Sequence, residues 1–150
     1  MSNIKNIFIN VETGLPESDI HNYYPKIHKR FIKNLGCIGH YKTEWETYVY
    51  TLNNKIVAIL SHNRIFDGDI LTIKLRVENN MSLRDMYSDI IIPGYHMNKI
   101  HWSSIKLNKI GELPLPLIYE LIDESYFLVY TALPKRERIL IDEINGELHA

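Results

Sequence analysis

Between Pro93 and Trp102 the chain gathers two histidines, a lysine, an amide and two aromatic rings into ten residues, Pro93-Gly94-Tyr95-His96-Met97-Asn98-Lys99-Ile100-His101-Trp102. Such a set could ligate a metal, grip a phosphate or stack on a base. His96 and His101 are five apart, whereas paired zinc ligands on one helical turn stand four apart, and on a strand an odd spacing sends them to opposite faces. We therefore expect no metal site here, and surface or hydrogen-bonded histidines instead. Tyr95 and Trp102 have the right chemistry for base stacking, although aromatic residues more often pack a core or a hinge.

Other chemistries find weaker support. Ser103-Ser104 lies in no G-x-S-x-G turn, and Cys37 has no local signature of an activated thiolate. Asp67 and Asp69 around Gly68 fall short of a calcium loop and fit turn chemistry. Gly36-Cys37-Ile38-Gly39 has the GXXG form of a nucleic-acid clamp, but its place after a helical run suits a cap better. No phosphate-binding glycine fingerprint occurs. Lys135-Arg136-Glu137-Arg138 after Pro134 either grips phosphate or forms a solvated helix end where cations complement the dipole. No constellation joins nucleophile, base and electrophile, so neither enzymatic activity nor a cofactor is expected.

Composition bounds the rest. The 150 residues, 45% hydrophobic and 23% charged, match one globular domain spanning 1–150. A formal net charge of -1 excludes a globally basic nucleic-acid binder and leaves only local clusters, at Lys26, Lys29, Arg30 and Lys33, at Lys99, Lys106 and Lys109, and at Lys135, Arg136 and Arg138. With one cysteine there is no intrachain disulfide. Neither a signal peptide nor a membrane span is read, and a cytoplasmic monomer is expected.

Periodicity supplies the elements that must position these residues. Ile4 to Val11 is too brief to assign to strand or helix. A helix is expected from near Pro25 to Leu35, stopped by Gly36. Glu44 to Leu52 and Lys55 to His62, rich in β-branched and aromatic residues, read as a hairpin turned by Asn53-Asn54. After a turn at Phe66 to Asp69, Ile70 to Val77 reads as a third strand, polar mainly on one face. Ser82 with Asp85 approximates a capping box for a helix running to Pro93-Gly94. Trp102 to Leu107 returns to strand, and Leu115, Ile118, Leu121, Ile122, Ser125, Tyr126 and Val129 trace a long helix from about Pro114 to Thr131. The class is α+β: a two-layer fold with an antiparallel sheet and helices packed on one face.

The segment from Pro93 to Trp102, with Leu71-Thr72-Ile73-Lys74 before it and Ser125-Tyr126, Leu133-Pro134-Lys135 and Arg138 after it, resembles the MmcQ/YjbR family over roughly Glu44 to Arg138. The resemblance implies a CyaY-like, or frataxin-like, fold. It also implies DNA binding, by likeness to a double-wing domain of a phage transcription activator. The matching positions are Tyr95, His96, Met97, Asn98, Lys99, His101 and Trp102, then Lys135 and Arg138; Ile100 stands where the family usually carries a basic residue. Frataxin's iron role needs an acidic helix, and the first helix here is basic. The expectation is a non-enzymatic regulatory domain that binds DNA through His96, Asn98, Lys99, His101, Lys135, Arg136 and Arg138, with Tyr95, Met97 and Trp102 as packing. The alternative is a protein- or small-ligand-binding module in which Tyr95 to Trp102 lines a groove.

Overall fold

Two asparagines set the register of the sheet. Asn53 and Asn54 adopt φ of 49° and 67°, the left-handed pair of a two-residue turn whose twist matches that of its flanking strands. They join β4 (Thr47–Leu52) to β5 (Lys55–Asn63), as the sequence predicts. The structure, a computed structural model, describes residues 8–9, 16–17, 24–45, 47–63, 68–95 and 97–149. In it β1 (Phe8–Ile9) pairs with β2 (Pro16–Glu17), apart from a six-stranded antiparallel sheet. The sheet order is β3 (Cys37–Lys42), β4, β5, β6 (Gly68–Lys74), β8 (Trp102–Lys106), β7 (Ile91–Pro93).

Helix α1 (Tyr24–Lys33) lies against β3, and α3 (Leu115–Ala132) lies across β4, β5 and β6. Their apolar stripes meet one face of the sheet, where Ile27, Phe31, Ile118, Leu121, Ile122 and Val129 share a core with Tyr50, Leu52, Leu71, Ile73 and Ile105. Phe31 stacks on Tyr50 at 4.1 Å. A Cβ at Gly39 would stand 2.8 Å from the Tyr48 ring and 2.9 Å from that of Tyr50, so a glycine there lets both rings approach the edge strand closely. α1 and α3 are clamped by Arg30, whose guanidinium forks onto the Asp123 carboxylate while Asn34 donates to the same group. Ser125 ties α3 to the sheet: its hydroxyl donates to Val57 O at 2.6 Å and accepts from Lys74 N at 2.8 Å.

Several elements depart from the expected pattern. The third strand ends at Lys74, because α2 (Val77–Met86) begins before Ser82, and the proposed Ser82–Asp85 box sits in mid-helix. A contact from α3 replaces it: Glu124 accepts from Arg76 N at 2.9 Å and from Asn79 Nδ2 at 2.6 Å, satisfying the helix start from across the fold. The run expected to stay helical to Pro93 ends at Met86 and becomes strand β7, and Cys37 opens strand β3 where only a cap was expected. The sheet's second face is closed as well: Val49, Ile70, Thr72 and Ser104 are buried, the last two joined by a 2.7 Å hydrogen bond. A 3₁₀ segment, Leu107–Glu112, leads into α3, and α4 (Lys135–His149) continues the chain beyond the last helix read from the sequence. Most of the Ile4 to Val11 run, and the start of the Phe66 turn, lie outside the described residues.

Two measurements check this packing. Ser125→Ala removes the partner of the Lys74 amide and should lower unfolding free energy by about 1–3 kcal/mol, whereas Thr131→Ala, at an exposed hydroxyl, should change it little; urea denaturation compares them. Burial holds the His28 imidazole below its ordinary pKa of 6.5, beside the Tyr50 hydroxyl at 3.1 Å. The unfolded chain then takes up the proton first, so stability should be full above pH 6.5 and fall as pH drops through the folded value. His28→Gln should flatten that fall in melts compared across the acid range.

Candidate functional site

Trp102 and the residues before it form the connection between β7 and β8, a strand-to-strand crossing of the sheet edge, where the sequence had suggested a helix-to-strand junction. The connection is shaped from within by Asn98, whose side-chain oxygen accepts from Ile100 N at 2.9 Å and whose carbonyl accepts from His101 and Trp102 amides. Gly94 N donates to Trp102 O at 2.9 Å, and a Cβ at Gly94 would lie 2.7 Å from Trp102 backbone and side chain alike. Only glycine fits that approach.

Four consecutive carbonyls then receive donors from the scaffold. Lys99 O accepts from Arg84 Nη2, Ile100 O from Asn80 Nδ2 at 2.9 Å, His101 O from Leu75 N at 2.9 Å, and Trp102 O from Gly94 N and Arg84 Nη2. Asn80 is buried on α2; its other donor proton meets Leu75 O, and its oxygen accepts from Ser103 Oγ at 2.6 Å. That hydroxyl in turn accepts from Arg84 Nε at 2.9 Å. Among the described residues Arg84 meets carbonyl and hydroxyl oxygens and no carboxylate, and desolvation pulls its pKa down. Its fork is used as a backbone clamp, a task its planar, fixed donors suit better than a lysine's.

The expected site residues separate accordingly. His96 lies outside the described residues. Asn98, Lys99 and His101 are exposed, although the Asn98 side chain is engaged by its own loop and Lys99 Nζ donates to Gly94 O at 3.1 Å. Tyr95 and Met97 are half-buried; Tyr95 N donates to Ser104 Oγ. Trp102 is 9% exposed and fixed in β8, so it offers an edge rather than a platform. Lys135 and Arg136 are exposed and Arg138 is half-buried, its Nε without a hydrogen-bond partner. All three occupy the first turn of α4, which reverses the expected dipole argument: at an N-terminus cations are disfavoured and anions favoured. Burial pushes the Cys37 thiol up to about 12, which leaves it protonated at neutral pH. No group of three metal-ligating side chains converges among the described residues.

A cleft of about 380 Å³ opens beside Trp102. Lys74, paired in register with Trp102, lines it together with Asn54, Lys55 and Ile56 of the hairpin and with Val129, Ala132 and Leu133 at the end of α3. No carboxylate lines it. Leu133 leads through Pro134 into Lys135, and Glu137 accepts from Asn53 Nδ2, holding the first turn of α4 against the hairpin turn at the cleft's rim. The fold thus places Trp102 in this cavity and starts the Lys135 cluster two residues beyond the lining residue Leu133. It adds two lysines that sequence reasoning missed, although strand alternation already placed Lys74 on the polar side of its strand.

A protein-family model described as YjbR matches residues 39–128, which takes in the whole connection and most of α3. The chain is 36% identical to the uncharacterized protein YjbR of Escherichia coli strain K12 over 101 residues, covering 67% of this chain and 81% of that one. It is 37% identical to the uncharacterized protein YyaQ of Bacillus subtilis, with 56% of this chain and 80% of that one covered. Among solved structures it resembles DR2400 of Deinococcus radiodurans, a DUF419 domain, with a TM-score of 0.69 and 26% identity over 79% of this chain and 86% of that one. A Pseudomonas syringae protein gives a TM-score of 0.60 at 27% identity, covering 70% and 97%.

The clamp is testable by itself. Arg84→Met deprives the Lys99 and Trp102 carbonyls of a charged donor and should cost about 2 kcal/mol, with faster amide hydrogen exchange confined to residues 98–102. Arg84→Lys, lacking the fork, should not restore protection.

Proposed function

The chain belongs to the YjbR family, and we propose that it is a non-enzymatic cytoplasmic protein that binds nucleic acid, weakly or within a regulatory assembly, across the cleft beside Trp102. One observation carries the reading: the cleft joins Lys55, Lys74 and Trp102, with no carboxylate among its lining residues. Lys55 and Lys74 in the cleft, with Lys99 and Lys135 beyond its lining, would neutralise successive phosphates. Apolar Trp102, Val129 and Leu133 offer contact to a base or sugar. His101 and Arg138 flank the same segments. The local charge lets a chain of net -1 bind a polyanion without being basic overall.

The cleft's volume favours a second reading, a small anionic ligand with an apolar body, because about 300–1,000 Å³ is usual for small-molecule sites. Fluorescence anisotropy with a labelled random-sequence oligonucleotide at about 50 and about 200 mM salt separates the two. Nucleic-acid binding predicts an affinity that falls steeply with salt, and a slope reduced by about 0.9 for each of Lys55→Ala, Lys99→Ala and Lys135→Ala. Affinity indifferent to salt and to all three substitutions contradicts it. Saturable binding of a mononucleotide as tight as that of the oligonucleotide supports the small-ligand reading instead.

A further inference from the structure

Helix α4 has an inward face whose partners are known. Ile141 is buried beside Gly36 and Leu52, Tyr130 Oη donates to Asp142 at 2.8 Å, and Glu137 holds Asn53. Its outward face is different. Ile139, Leu140 and Ile144 are 45%, 59% and 48% exposed, a concentration of large aliphatic side chains that isolated surface residues do not explain. Arg136, Leu140, Glu143 and Ile144 follow the i, i+4, i+7, i+8 spacing of a single stripe, with Ile139 at its flank. This helix lies outside the residues matched by the family model.

We propose that the stripe is the contact between two copies of this chain, paired antiparallel through α4. Charge favours a second copy as the occupant. Among the described side chains the stripe carries one cation toward its start and one anion beyond its middle, either side of Leu140: Arg136 four residues before it and Glu143 three residues after. A two-fold axis near Leu140 places Arg136 of each copy against Glu143 of the other, and brings the Leu140 side chains together with Ile139 and Ile144 around them. A parallel arrangement sets like charges side by side and opposes nothing. A uniformly acidic or basic partner would meet one matching and one repelling charge, whereas a self-complementary surface is what a closed two-fold contact requires. Antiparallel helices also set their dipoles head to tail. Arg136 then serves the contact, leaving Lys135 to the cleft.

Sedimentation equilibrium of the full chain over a concentration series tests this. The expected result is reversible association to twice the 17.7 kDa of one chain, abolished by Leu140→Asp without a change in the thermal melt, since Leu140 is exposed. Arg136→Glu and Glu143→Arg should each weaken association by at least about tenfold, and the double variant should recover it. A chain that stays monomeric throughout, a dimer indifferent to Leu140→Asp, or a double charge reversal that fails to recover association would each overturn the proposal.

Discussion

Carbonyl groups of a chain segment that leaves the strand ladder must find donors elsewhere, and this need organises the molecule around residues 99–102. Arg84, Asn80 and Leu75 meet it. Those donors are in place only because α2 is anchored at its start by Glu124, and Glu124 is aimed only because α3 is tied to the sheet one residue later by Ser125. The chain of dependence runs from α3 through α2 to the connection, and ends at Trp102. With this many outside donors the backbone of residues 99–102 is held in place, and so is Trp102, which lines the cleft.

Electrostatically, the cations fall into two groups. Arg30 is committed to Asp123, Arg84 to backbone oxygens, and Lys42 lies 3.7 Å over the Trp45 ring. Lys55 and Lys74 instead line a cavity with no carboxylate among its lining residues, and Lys135 stands at a helix end where the dipole already favours anions. The net charge of the chain averages over this division and hides it. What the cleft presents to a ligand is set by which cations the fold has not used internally.

Much of the architecture is legible in the residues because local and global preferences agree there. Asn53-Asn54 can only turn tightly, and the stripe from Leu115 to Val129 can only be a helix laid on a sheet; both appear where expected. The misses share a cause. β3 and β7 are edge strands defined by their neighbours, β7 by three residues alone, and α2 starts where Glu124 satisfies its amides rather than where Ser82 offers a cap. At the site, the motif residues Tyr95 to Trp102 were found by type and spacing, but their work is largely backbone geometry. Lys55 and Lys74 are separated along the chain and meet only through strand pairing and the approach of α3, so spacing alone carries no sign of them. Arg84 and Asn80 were invisible for the same reason.

A ligand is expected to enter the cavity that Trp102, at the end of this clamped connection, helps to line. Two-dimensional NMR of the backbone amides and the Trp102 indole, followed as a short random-sequence oligonucleotide is added, tests it most directly. The Trp102 indole and the amides of Lys55, Lys74, Leu133 and Lys135 should shift together and saturate at one midpoint. Resonances moving only on the exposed lysines of α1, or none moving at all, would contradict the claim.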